Sequence, residues 1–157
     1  QNKDGVADEA MNTAMTPDQY NGGYDASKLI SESPLNAANQ AKDIERGKLL
    51  YNQACAACHG TGGDGQGPIV ASGAYVGVPN FADRQVTVGS VHYVITNGRN
   101  AMGSYAGQLK PCDRWRVEMY VMNAFKGGIA PAAPADAAPA TDAAPAASAS
   151  VTTSPIK

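Results

Sequence analysis

The chain has 157 residues, 43% of them hydrophobic, and a formal net charge of −2. That length, with an Ala/Pro-rich end, leaves room for one small domain. The charge is too small to argue for a nucleic-acid partner, and no run of about 18 apolar residues exists that would span a bilayer.

The charge is unevenly spread. Residues 1–40 carry Lys3 and Lys28 against six acids, whereas residues 41–127 carry nine Lys and Arg against six acids. An acidic arm therefore precedes a mildly basic centre. Residues 1–38 read as an N-terminal extension, with turn signals at Thr16-Pro17-Asp18 and Asn21-Gly22-Gly23 and a short helix expected near Ala26–Ile30. The extension has too few large apolar residues for a core of its own. It is either mobile or laid against another surface, with Tyr20, Tyr24, Leu29 and Ile30 as its docking residues.

Residues 39–128 form the domain. Its first helix is expected over Asn39–Cys58, capped by Asn36 or Asn39, with Asp43 and Glu45 in the early turns where negative charge suits the helix dipole. Ile44, Gly47, Leu50, Tyr51 and Ala54 recur at three- and four-residue spacing and make one apolar face. Glycine inside a helix costs about 1 kcal/mol relative to alanine. A close crossing with another helix at Gly47 would justify that cost.

The helix ends in Cys55-Ala56-Ala57-Cys58-His59. Two thiols three positions apart with a histidine directly after the second is the pattern of haem c attachment. On one helical turn the two sulfurs reach the two vinyl groups at one edge of a porphyrin, and the next imidazole points at the iron. His59 is thus the expected proximal ligand. A redox-active pair would want flanking strands. A zinc site built from Cys55, Cys58, Cys112 and His59 or His92 lacks the two close ligand pairs usual for zinc. Haem c attachment in bacteria happens outside the cytoplasm. Gln1 opens on polar residues with no visible signal peptide, so a processed, periplasmic chain is expected.

Residues 60–68 read as a glycine-rich loop turning closely under the cofactor, and residues 69–86 as irregular, with Tyr75, Val78, Pro79 and Phe81 as pocket lining. A second helix is expected from Thr87 to an Asn97-Gly98 stop. The last runs from Pro111 or Cys112 to Phe125, with Trp115, Met119 and Met122 as one stripe and Val117, Tyr120, Val121 and Ala124 beside it. Beyond Gly128 the Ala, Pro, Ser and Thr of residues 129–157 cannot bury enough apolar surface to offset ordering entropy, and a flexible tail is expected.

The sixth ligand separates a carrier from a catalyst. Met119 and Met122 sit on a periodic helix face as core residues, and Met11 and Met15 lie in the arm without a framework. His92, inside a helix, reads as a surface or outlying histidine. Met102 stands in a loop between two helices with small neighbours Ala101 and Gly103, and is the expected ligand. A thioether favours reduced iron, and a saturated iron moves electrons without binding substrate. The catalytic alternative, a peroxidase or gas-binding haem, would need a labile sixth ligand.

From about Asp43 to Ala124 the chain resembles class I cytochromes c, through Gly47, Cys55, Cys58, His59, Gly67-Pro68, Asn97-Gly98, Met102, Tyr105 and the Trp115/Tyr120 helix. The resemblance implies an all-α fold of three to five short helices around one covalent haem c. It also implies iron ligation by His59 and Met102, and a pocket that includes Pro68, Tyr75, Phe81, Tyr105 and Trp115. It further implies that the Pro68 carbonyl accepts a hydrogen bond from His59 and that the first and last helices cross at Gly47. Residues 20–30, Gly73-Ala74-Tyr75 and the Pro/Ala-rich end look like the monohaem cytochrome c subunit of alternative complex III, a bacterial quinol-oxidising assembly. Such a subunit takes electrons from a multihaem cytochrome and passes them to a soluble carrier or an oxygen reductase. A lipid anchor upstream of Gln1 is compatible with that family, and a freely diffusing cytochrome is the alternative. Cys112, with Cys55 and Cys58 consumed, reads as a small buried residue or as a link to a partner or lipid.

Overall fold

The computed structural model describes residues 22–127. Met11, Met15, Tyr20 and the Ala/Pro-rich tail lie outside the described residues. Within them the chain is helical: α1 (Gly23–Ser27), a 3₁₀ turn (Ala37–Asn39), α2 (Gln40–Ala54), α3 (Ala56–His59), α4 (Pro68–Ala71), α5 (Val88–Asn97) and α6 (Pro111–Phe125). No helix among the described residues is long and apolar enough to cross a membrane.

Local chemistry sets most boundaries. The Asn36 side chain accepts from the Ala38 N–H at 3.0 Å ahead of α2. Thr87 and Ser90 exchange side-chain-to-backbone bonds as a capping box at the start of α5, Gly98 ends that helix at φ 75°, and Pro111 opens α6. Three expectations need correction. The first helix stops at Ala54, because Cys55 (φ −113°) leaves the helical path and the chain restarts as α3. The region after Pro68 opens with α4 and is irregular only beyond it. The arm helix lies earlier than Ala26–Ile30, over Gly23–Ser27. The helices beyond the expected three to five are single turns, too short for periodicity to reveal.

The frame is the crossing of α2 over α6. A Cβ at Gly47 would run into the Arg116 carbonyl and stand 3.0 Å from the Tyr120 Cβ. Beside the crossing, Arg116 bonds Asp43 at 2.7 Å and Asp113 at 3.1 Å, and Arg46 reaches Asp113 at 3.3 Å. Asp43 is only 3% exposed, so the guanidinium serves chiefly to keep a buried carboxylate paired. Two apolar clusters flank α6. Tyr51, Phe81, Val91, Ile95, Val117 and Val121 belong to one; Leu35, Cys112, Trp115 and Met119 form the other.

The described part of the arm is laid on α5. The Gly89 N–H donates to the Ile30 carbonyl at 3.0 Å, a Cβ at Gly89 would strike the Ser27 carbonyl and Ile30 Cβ, and Tyr24 meets Tyr93 edge-on. Ile30 and Tyr24 therefore dock, while Leu29 stays exposed. His92 is not a surface histidine: it is buried, its ring stacked on Trp115 at 3.6 Å and 9°. Glu118 is also fully buried, and neither carboxyl oxygen has a hydrogen-bond partner.

Candidate functional site: a haem pocket

The Cys-x-x-Cys-His segment is wound into one turn by three backbone bonds. Cys58 and His59 N–H groups donate to the Cys55 carbonyl at 3.1 and 2.9 Å, and Gly60 N–H to the Ala56 carbonyl at 2.9 Å. The glycine-rich loop folds back onto this turn. Gly65 N–H reaches the His59 carbonyl and Gly67 N–H the Cys58 carbonyl, at 2.9 and 3.0 Å. A Cβ at Gly67 would collide with the Ala57 carbonyl, which is why residues without side chains stand there. Tyr51, from α2, locks the loop by donating its hydroxyl to the Gly60 carbonyl at 2.8 Å.

The turn faces a cavity of about 430 Å³. Of the residues expected at the cofactor, Cys55, Cys58, His59, Tyr75, Phe81, Met102 and Tyr105 line it. The far walls come from Val91, Val94 and Ile95 of α5 and from Val117 and Val121 of α6, residues that only helix periodicity hinted at. Tyr105 is fixed by its hydroxyl to the Ala54 carbonyl at 3.2 Å. Trp115 does not line the cavity. Its face of α6 turns the other way, into the cluster with Leu35, Cys112 and Met119. Cys112 is buried in that same cluster with its sulfur accepting from Arg116 at 3.3 Å, so the zinc set with Cys55 and Cys58 is not assembled.

The His59 ring is stacked on Phe81 at 5.0 Å and 14°, and its Nδ1 is buried without a hydrogen-bond partner. The implied bond to Pro68 is thus not formed: the ring's orientation is set by Phe81, and the Pro68 carbonyl accepts the Ser72 N–H at 3.1 Å as α4 begins. Burial pushes the His59 pKa down, which keeps the imidazole neutral and able to bind a metal. Across the lining, Met102 sits on a tight turn. Arg99 N–H donates to the Met102 carbonyl at 2.9 Å and Met102 N–H to the Arg99 carbonyl at 3.0 Å, with Asn100 in the left-handed region at φ 52°.

A second, polar cleft opens off the cavity and shares Tyr24, Arg84, Val86 and Arg99 with it. Lys28 joins Arg84 and Arg99 there, opposed by Asp83. The Arg99 guanidinium lies over the Tyr24 ring at 3.6 Å. An apolar cavity edged by two thiols, holding a neutral imidazole with a free Nδ1 and a thioether, and opening onto three cations, matches a flat apolar macrocycle with two propionates.

A helical domain built this way around such a cavity is a c-type haem protein. The family described as "Cytochrome C oxidase, cbb3-type, subunit III" matches residues 42–121. Cytochrome c6 of Bumilleriopsis filiformis is 31% identical over 86 residues, covering 55% of this chain and 96% of that protein. The chain belongs to the class I monohaem cytochrome c family, and it carries one covalently bound haem c at Cys55 and Cys58. Among solved structures, cytochrome cL of Methylophaga aminisulfidivorans aligns at 20% identity and TM-score 0.42 over 55% of this chain and 58% of that one. A reducing HAO-like protein complex of Kuenenia stuttgartiensis aligns at 24% identity and TM-score 0.47 over 62% of this chain and 53% of that one. Cytochrome cL from Hyphomicrobium denitrificans aligns at 17% and 0.45, over 71% and 68%. This chain thus spans a little over half the length of the first two structures.

Proposed function

We propose that this chain is a periplasmic electron-transfer cytochrome whose iron is held by His59 and Met102. In this reading it serves as the monohaem subunit of a quinol-oxidising respiratory complex, taking electrons from a multihaem subunit and passing them to a soluble carrier or an oxygen reductase. The haem supplies a one-electron Fe(II)/Fe(III) couple. The observation that carries the ligation is that His59 and Met102 line one cavity, each held by backbone bonds of its own turn. A ligated iron would leave no open position for substrate. Phe81 and the valines of α5 and α6 line the cavity and would shield the ring from water, and a low-dielectric surround with a thioether ligand would raise the potential.

The complex assignment draws on the arm. Its end at Tyr24–Ile30 is anchored to α5, and Tyr75 and Val76, at the cavity, stand 44% and 83% exposed as an apolar contact for a partner. The ligand set is tested by Met102→Ala. The parent's ferric protein is expected to show a methionine-to-iron charge-transfer band and to resist cyanide at neutral pH, and the variant to lose the band and bind cyanide. An unchanged spectrum in the variant sinks the assignment. The assembly is tested by purification from detergent-solubilised membranes. Co-migration with multihaem and iron–sulfur subunits is expected, and release without partners would make the protein a diffusing shuttle.

A further inference from the structure

We propose that Tyr24 is a positioning residue for the Met102 side of the haem pocket and acts through Arg99, so that the N-terminal arm tunes how firmly the sixth ligand is held. The inference rests on Met102 as that ligand. The Arg99–Met102 turn is closed by its own pair of backbone bonds, and it contains a non-glycine residue at positive φ, Asn100. Asparagine is among the few side chains that adopt this region readily, so the turn's shape is local and its placement depends on what Gly98 and Arg99 contact. Asn100, Ala101 and Gly103 line the cavity, so their exposure is toward the space the haem would fill. On the inner side, Gly98 lets the Met102 carbonyl approach so closely that a Cβ there would stand 2.6 Å from it.

On the outer side, the Arg99 guanidinium lies 3.6 Å from the centre of the Tyr24 ring. Tyr24 does not belong to the turn or to the helix before it. It comes from α1, which is pinned to α5 by the Ile30 carbonyl on the Gly89 N–H at 3.0 Å, by the Gly89 approach to Ser27 and by the Tyr24–Tyr93 edge contact at 6.1 Å. Arg99 therefore has its backbone in the ligand turn and its side chain on the arm. Lys28 also stands over the Tyr24 ring, but at 4.8 Å and bonded to Asp25 at 2.7 Å, so it is a bystander to the turn.

The experiment measures how fast imidazole displaces the thioether in the ferric holoprotein, together with thermal midpoints, for Tyr24→Leu, Tyr24→Phe and Arg99→Gln. An exposed cation–ring contact corresponds to about a two- to fivefold change in an equilibrium between held and released turn. Tyr24→Leu and Arg99→Gln are each expected to speed displacement by that factor. Tyr24→Phe, which keeps the ring face, is expected to match the parent. The double variant Tyr24→Leu/Arg99→Gln is expected to gain no more than either single one, because both remove the same contact. A Tyr24→Leu variant with a lowered midpoint but the parent's displacement rate overturns the proposal, since a merely structural role predicts that; so does a double variant whose effects multiply. When Met102→Ala abolishes the charge-transfer band, a null result at Tyr24 sinks the positioning role alone. A parent that never shows the band sinks the ligand reading and this inference together.

Discussion

Replacing Glu118 by glutamine should change how stability depends on pH, and the direction follows from two buried groups that oppose one another. Burial, with the Arg114 charge adding to it, pushes the His92 pKa down to about 3 from 6.5. Burial raises Glu118 well above its ordinary 4.5. Between about pH 3 and 6.5 the unfolded chain holds a proton on His92 that the folded protein has released, so this group makes stability rise with pH. Above pH 4.5 the folded protein keeps a proton on Glu118 that the unfolded chain has lost, so this group makes stability fall until its raised pKa is reached. Each slope is about 1.4 kcal/mol per pH unit. In the parent the two slopes oppose one another above pH 4.5 and below pH 6.5, for as long as Glu118 keeps its proton. Glutamine does not titrate, so from pH 4.5 up to the raised Glu118 pKa, Glu118→Gln should gain on the parent by about 1.4 kcal/mol per pH unit, or roughly 6–11 °C in thermal midpoint. Guanidinium titrations of the ferric holoprotein at pH 5, 6 and 7, followed by the fluorescence of Trp115, the single tryptophan, measure this. Haem-site groups cancel in the difference between variant and parent. A difference that stays constant from pH 5 to 7 would refute the argument.

Three further outcomes follow from the frame. Arg116→Met removes the guanidinium bonded to the buried Asp43 at 2.7 Å and should cost about 3 kcal/mol; combining it with Asp43→Asn should cost less than the two single changes together, as a double-mutant cycle would show. Gly47→Ala places a methyl against the Arg116 carbonyl, and the overpacking should lower the denaturation midpoint by about 1–3 kcal/mol in free energy. Tyr51→Phe leaves the Gly60 carbonyl without its 2.8 Å donor and should cost about 1 kcal/mol, with the charge-transfer band retained.

Gly47 and Gly67 could be read in advance because a glycine where a helix or loop would prefer a side chain states a tertiary demand locally. The Thr87 cap and the Gly98 stop are likewise local chemistry. The resemblance puts Trp115 at the cofactor, whereas the helical stripe that holds it tells only that it is buried, not against what. In α6 nearly every residue from Cys112 to Val121 is buried, so the helix serves two cores. Val117 and Val121 face the cavity, and Trp115 and Met119 face Leu35. His92 reads as a surface histidine because nothing near it in the chain announces that Trp115 will stack on it. Tyr24 over Arg99 is the same kind of miss, since the pairing joins an arm to a turn far along the sequence. The His59–Pro68 bond was implied by resemblance alone, and the Phe81 ring turns the imidazole elsewhere.

The cavity also dictates an order of events in the making of the protein. The cavity of about 430 Å³ is lined largely by apolar side chains of α5 and α6 and by Phe81, and the macrocycle that belongs there would be part of the hydrophobic interior. Meanwhile burial, and then the neighbouring Cys58, push the Cys55 thiol up to about 12, where it is a poor nucleophile. Thioether formation would therefore be easier while the chain around Cys55 is still open.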